Sequence, residues 1–170
     1  MENLKVLDFG LNWISGNIPA EISGCPNLTD LLLNSNLING KVSGELSHLV
    51  SLQFVNFSDN LIEGTWPLPV LPLHMVFFSI LSNNFSGEIP SLICNLNFIK
   101  YLDFSHNHFS MIPPCLGNTS DYLIDLDLRN NNFHGTIPKF VKCNNLRSLK
   151  LTGKQLEGSM ARSLVNCKKL

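Results

Sequence analysis

Apolar and polar residues alternate along this chain in short bursts, and each burst closes on an asparagine. Leu4-Lys5-Val6-Leu7-Asp8-Phe9-Gly10-Leu11-Asn12 is one such burst, and Leu123-Ile124-Asp125-Leu126-Asp127-Leu128-Arg129-Asn130-Asn131 is another. An apolar residue at every second position predicts a short strand with one buried face. The closing asparagines Asn12, Asn36, Asn60, Asn83, Asn107 and Asn131 follow at intervals of 24, 24, 23, 24 and 24 residues. Glycines keep step four residues further on, at Gly16, Gly40, Gly64, Gly87 and Gly135, as do the pairs Ile18-Pro19, Ile89-Pro90 and Ile137-Pro138. In this register, repeats start at Leu4, Leu28, Leu52, Met75, Ile99, Leu123 and Leu146, and Leu170 opens an eighth. Strands are expected to centre on Val6-Leu7-Asp8, Leu31-Leu32, Val55-Asn56, Phe78-Ser79, Leu102-Asp103, Leu126-Asp127 and Leu149-Lys150. An asparagine amide carries both a donor and an acceptor. Turned inward at each strand end, the six asparagines are expected to form a ladder that satisfies backbone groups where the chain bends.

The unit L-x-x-L-x-L-x-x-N-x-L-x-G-x-I-P is the leucine-rich repeat. It predicts an α/β repeat fold: a right-handed solenoid of about seven 23–24-residue units, with a parallel sheet on its concave side, little α-helix and uncapped ends. Residues 1–170 read as one such array. Three units depart from the pattern. The second has Val42-Ser43 for Ile-Pro, and the fifth lacks the glycine and shortens to Ser110-Met111-Ile112-Pro113-Pro114. The last has Lys154 for the ladder asparagine and Met160-Ala161 for Ile-Pro, so the Lys154 side chain is expected to swing outward.

Several runs carry a narrower likeness: Ser91-Leu92-Ile93-Cys94-Asn95, Ile112-Pro113-Pro114-Cys115-Leu116-Gly117-Asn118, Leu126 to Gly135, and Asn166-Cys167-Lys168-Lys169-Leu170. With the G-x-I-P half-repeat, they resemble the plant extracellular leucine-rich-repeat proteins. Within that group they are most similar to receptor-like proteins of the fungal-resistance type, which are related to receptor-like kinase ectodomains and polygalacturonase-inhibiting proteins. The resemblance implies a module that recognises a protein or peptide ligand in defence or developmental signalling. It also implies a co-receptor or adaptor kinase as partner, and a place in the apoplast or on the outer face of the plasma membrane. Two other readings stand beside it: a secreted inhibitor of a pathogen cell-wall hydrolase, and a truncated gene product with no independent function. The family also has a signal peptide, cysteine-paired caps, an island between repeats and one membrane span. None is found in this sequence, which is therefore expected to be a fragment of a larger ectodomain.

Composition narrows the classes further. The chain is 44% hydrophobic and 15% charged, with a formal net charge of −1. Its apolar content excludes disorder. Twelve Lys and Arg against thirteen Asp and Glu exclude a basic nucleic-acid footprint. The stretch Thr65 to Gly87 has no charged residue, but Pro67, Pro69 and Pro72 interrupt it, and a spanning helix needs about 20 unbroken apolar residues.

Candidate chemistry is sparse. No hydrolase elbow, zincin motif or phosphate loop occurs, so no enzyme, cofactor or metal is expected. His106 and His108 read as solvated loop histidines flanking Asn107, and Trp13 and Trp66 as packing residues of the turns. Cys25, Cys143 and Cys167 are expected to act as small apolar residues of the convex side. Cys94 and Cys115 lie on the back of adjacent repeats, and a disulfide between them requires Cα atoms within about 7 Å. Asn27, Asn56, Asn84 and Asn118 stand in Asn-x-Ser/Thr sequons and are candidate glycan acceptors. The third repeat position reads Val6, Asp30, Phe54, Phe77, Tyr101, Asp125 and Ser148, which sets three aromatics side by side on the concave face. Phe54, Phe77 and Tyr101 are the candidate centre of a ligand site, with Asp103, Asp127, Arg129 and Lys150 at its rim. The same row has a structural reading, because cross-strand pairs also stabilise a sheet. A glycan on Asn56 would share that face.

Overall fold

The computed structural model describes residues 2–66, 72–153, 155–159 and 162–170. Lys154, Met160 and Ala161 lie outside them, and so does the expectation for the Lys154 side chain.

Seven three-residue strands form one parallel sheet in chain order: Val6–Asp8, Asp30–Leu32, Phe54–Asn56, Phe77–Ser79, Tyr101–Asp103, Asp125–Asp127 and Ser148–Lys150. Their middle residues stack in register and point into the core: Leu31, Val55, Phe78, Leu102 and Leu126 are all buried. On the descending flank a second parallel sheet joins Ser15–Gly16, Leu37–Lys41, Leu61–Gly64, Asn84–Glu88 and His108–Met111. A two-stranded piece pairs His134–Thr136 with Gln155–Glu157. The back is built of 3-10 turns, and no α-helix occurs among the described residues. No helix there is long and apolar enough to cross a membrane. The architecture is the leucine-rich-repeat solenoid, with the seven-stranded sheet on its concave side.

Proline shapes the back. Pro19 and Pro90, at φ −69° and −70°, lead directly into the turns Ala20–Gly24 and Ser91–Asn95, since the ring presets that angle. Where Ser43 replaces proline, its side chain instead accepts a hydrogen bond from the Glu45 N–H at 3.2 Å and caps the turn Gly44–His48. In the fifth repeat, the missing glycine coincides with a shift of pairing register between Phe109 and Met111. Gly117 sits so close to the next repeat that a methyl group there would collide with the Lys139 carbonyl.

Six of the seven strands are followed by one residue in the left-handed region: Leu11, Ser35, Asp59, Ser82, His106 and Asn130 have φ between 52° and 58°. This bend turns the following asparagine inward. Asn36, Asn60, Asn83, Asn107 and Asn131 are all buried. The Asn83 Nδ2 donates to the carbonyls of Phe57, Ile80 and Leu81 at 2.9, 3.2 and 3.2 Å, and its Oδ1 accepts from the Ile62 N–H at 3.0 Å. Each of the other four makes the same bonds, two within its own turn and two into the preceding repeat. Asn12, in the first repeat, is exposed and donates only within its own turn, to Phe9 and Gly10.

Two disulfides staple the back. Cys94 and Cys115 are bonded, with Cα atoms 5.9 Å apart. Cys143 and Cys167 are bonded as well, at 5.0 Å, which corrects the expectation that both act as free apolar residues. They are 24 residues apart, so one full period stacks them at the same back position, within the usual Cα range of a disulfide. Cys25 stays free and buried, because Leu49 occupies the equivalent place one repeat on.

The two tryptophans part company. Trp66 occupies the Ile position of Ile-Pro and packs on Phe78 and Phe104, with ring centroids 5.1 and 6.2 Å away. Trp13 is 85% exposed, contrary to the expected packing role. It directly follows the ladder asparagine, where Leu37 and Leu61 of the next repeats also face solvent.

Two outcomes test this fold. Asn83→Ala should lower unfolding free energy by about 1–3 kcal/mol, the cost of stranding buried backbone partners, read by chemical denaturation. Alkylation of the unreduced, denatured chain followed by mass spectrometry should label a single cysteine, Cys25. Labelling of three would break one of the staples.

Candidate functional site

The strand register sorts the concave side chains into rows. Phe54, Phe77, Tyr101 and Asp125 are consecutive partners across four strands. Phe54 is 38% exposed and Tyr101 41%, while Phe77 between them is half-buried. The Phe77 and Tyr101 rings lie with centroids 6.2 Å apart at 45°. The row two residues on runs Asn56, Ser79, Asp103, Asp127 and Lys150. A cleft of about 170 Å³ opens between the Phe77 and Tyr101 rings and the side chains of Asp103, Asp125, Asp127 and Lys150.

The second row has a local structural duty. In five repeats its side-chain oxygen accepts from the N–H two residues on: Asp8 from Gly10, Asn56 from Ser58, Ser79 from Leu81, Asp103 from Ser105 and Asp127 from Arg129. This Asx-type turn holds the strand end. The Asn56 amide is half-buried, and its Oδ1 also accepts from the Ser58 hydroxyl at 2.7 Å.

Asp127 is the correction here. It was expected as an exposed rim charge, but its side chain is only 5% exposed. Arg129 folds back over it, with Nε 3.0 and 3.1 Å from the two carboxylate oxygens and Nη2 2.8 Å from Oδ2. Lys150 closes the other side at 3.2 Å and reaches Asp125 at 3.6 Å. Burial penalises the Asp127 charge, yet the Arg129 and Lys150 donors outweigh it and hold the carboxyl below the usual carboxylate range. At Asp103 burial prevails. Two bonds from Ser105 favour its charge, the Asp127 carboxylate disfavours it, and the carboxyl is pushed above its ordinary value.

Other side chains fall elsewhere. His106 is exposed at the strand-ending bend, its ring against the Asn130 amide, and His108 is exposed on the flank sheet. No cluster of three or more His, Cys, Asp or Glu poised for a metal occurs among the described residues. Of the sequon asparagines, Asn84 is exposed on the flank sheet. Asn27 donates to the Glu2 carbonyl, and the exposed Asn118 accepts from the Val141 N–H. The sequence reading missed a second aromatic row. His74, Phe98 and Tyr122 stack on the ascending edge, with centroids 5.8 and 6.1 Å apart. Each directly precedes the residue that opens a repeat, so the same spacing argument that found the first row would have found this one.

A family model described as Leucine Rich Repeat matches residues 3–25, 98–119 and 122–144. Receptor-like protein 35 of Arabidopsis thaliana is 35% identical over 163 residues, 95% of this chain and 15% of that protein. Receptor-like protein 54 of the same plant is 31% identical over 140 residues, 81% of this chain and 17% of its own length. The chain thus spans a minor part of the relatives it matches. Among solved structures, the plant peptide hormone receptor RGFR1 in complex with RGF2 aligns with a TM-score of 0.94 at 31% identity, over 99% of this chain and 27% of that one. The Arabidopsis receptor kinase HAESA, in complex with the peptide hormone IDA and the co-receptor SERK1, aligns at 0.91 with 28% identity, over 98% and 28%.

The two carboxyls at the site should titrate in opposite order to their solvent exposure. By NMR, Asp127 should lose its charge below the ordinary aspartate range and Asp103 above it. The depressed Asp127 pKa contributes stability that is present above the unfolded-state value of about 3.9 and is lost as pH falls through the folded-state value. Asp127→Asn should therefore destabilise the chain at neutral pH and flatten that acid limb.

Proposed function

We propose that this array of leucine-rich repeats, which belongs with those of the plant receptor-like proteins, is a ligand-binding segment of a cell-surface receptor. The observation that carries this is the concave aromatic row Phe54, Phe77 and Tyr101 beside a charged cleft. Exposed aromatics grouped on a rigid sheet are the usual centre of a recognition surface. A rigid face loses little conformational entropy when it binds. The kinship supports the reading, because the aligned receptors RGFR1 and HAESA are solved with peptide hormones. The ligand proposed here is accordingly a peptide or an extended protein segment lying along the concave sheet. The activity is binding rather than catalysis, with a co-receptor or adaptor kinase carrying the signal, by analogy with the SERK1 complex of HAESA.

Phe54, Phe77 and Tyr101 form the centre of the proposed site, and Asp103, Arg129 and Lys150 its edge. Asp127 serves as the buried anchor that holds Arg129 and Lys150 in place. The two disulfides favour an oxidising compartment, and with it the apoplast or the outer face of the plasma membrane. Asn27, Asn84 and Asn118 lie away from the aromatic row and are the sequons whose glycans would leave it open, whereas a glycan on Asn56 would crowd it.

A peptide selected from a display library against the full chain provides the test. Tyr101→Ala should weaken its binding by about 2 kcal/mol or more, on the hot-spot scale, with an unchanged melting temperature because the ring is not in the core. Lys5→Ala should leave affinity as it was. Selected peptides indifferent to Tyr101→Ala and to Phe77→Ala would place recognition on another face.

A further inference from the structure

We infer that the cleft beside Tyr101 is a subsite for one basic side chain of the ligand, an arginine or lysine gripped between aromatic rings and the carboxylates of Asp103 and Asp125. This deepens the proposed recognition role and rests on it.

Charge accounting at the cleft comes first. Three carboxylates line it, Asp103, Asp125 and Asp127, with one cation, Lys150; a second, Arg129, reaches the group through Asp127. Both cations are committed to Asp127: Arg129 by a two-pronged grip, and Lys150 at 3.2 Å. Lys150 only brushes Asp125, at 3.6 Å. Asp103 meets no cation within ion-pair distance among the described residues, and its hydrogen-bonded oxygen is held by Ser105 alone. One positive charge is missing from an otherwise balanced group.

The second observation is independent of the first. The Asp125 Oδ1 is buried and has no hydrogen-bond partner. A buried acceptor left unpaired is costly, and Asp125 lines the cleft itself. The side chain as a whole is 35% exposed, so the carboxylate still offers the cleft its outer oxygen, which Lys150 meets only at 3.6 Å. Backbone strain plays no part, since Asp125 sits in a regular strand in register with Tyr101 and Ser148.

The third observation is the wall opposite. Phe77 and Tyr101 meet at 45° and line the same cleft as the carboxylates. A ring face attracts a cation, and a guanidinium can stack on an aromatic while its N–H groups reach a carboxylate. An anionic group entering here would meet Asp103 and Asp125 with no free cation to greet it. An apolar group would fill the space and leave the Asp103 and Asp125 carboxylates short of a cation. A basic side chain satisfies the rings and the charge deficit together.

The test uses N-acetyl-arginine amide and its neutral isostere, N-acetyl-citrulline amide, titrated into the full chain and followed by NMR. The arginine probe should shift the signals of Tyr101, Asp103, Ser105 and Asp125 saturably. Citrulline should bind at least tenfold more weakly, and N-acetyl-glutamate amide should leave these signals in place. Asp103→Asn keeps the acceptor for Ser105 and so preserves the turn. It should still cost the arginine probe at least tenfold, and Asp125→Asn should weaken it in the same direction. Equal binding of arginine and citrulline, or an unchanged arginine affinity in both variants, would overturn the subsite. Its failure is separable from failure of the wider reading. If library-selected peptides lose affinity with Tyr101→Ala but not with Asp103→Asn, the concave face still binds ligand and only the basic anchor is wrong.

Discussion

The buried asparagine amide is the interaction on which the rest of this molecule depends. The bend that ends six of the seven strands places one residue in the left-handed region and leaves carbonyls such as those of Phe57 and Ile80 without a backbone N–H partner. A single amide answers them. Three carbonyls receive its Nδ2, and its Oδ1 receives an N–H from the repeat before. An aspartate has the acceptor but no donor, and a leucine has neither. Since a domain is stable by only about 5–15 kcal/mol in total, losing a few such amides would unfold the array. The ladder also fixes the angle at which each strand leaves the sheet, and so sets the spacing of every residue on the concave face.

That spacing is why the fold could be read from the chain. A period of 24 residues leaves one solution for the strands, and the outward positions of Phe54, Phe77 and Tyr101 follow from counting. What escaped the count depends on pairs rather than on periods. Cys143 and Cys167 occupy a position where an apolar residue and a half-cystine fit equally well, and nothing in either residue's own neighbourhood says which applies. Only their one-period separation does. Asp127 was placed outside by alternation, and its backbone obeys alternation. Its burial comes from Arg129 folding back across the turn and Lys150 reaching over from the next repeat. Long side chains cover a short one without leaving a trace in the hydrophobic pattern. The stack of His74, Phe98 and Tyr122 escapes for a different reason: these rings lie three residues before the strands, outside the alternating stretch that marks the sheet face.

The concave surface therefore combines two kinds of position. The second row is tied to the backbone, because its Asp, Asn and Ser oxygens hold the strand ends. The first row carries no such duty and varies from Val6 through three aromatics to Asp125 and Ser148. Specificity and stability are thus assigned to neighbouring columns of the same sheet, where a change in one need not disturb the other. Asp127 links the columns: it holds its own turn while orienting two cations at the edge of the cleft.

The regular period has a consequence for how such a surface changes over generations. Each repeat bonds only to its neighbours, and every ladder amide finds its partners one unit away. Removing one residue from a strand would turn its whole face over, but removing a complete unit leaves the sheet and the ladder in register. Excision of the repeat that begins at Met75 would close the ladder and set Phe54 directly beside Tyr101, joining rings that now stand two strands apart, at the cost of the Cys94–Cys115 staple. Unequal recombination between units that share this period would make such cuts without disturbing the ladder. Genomic duplication and loss can in this way redraw the recognition surface in whole steps, faster than point substitution could.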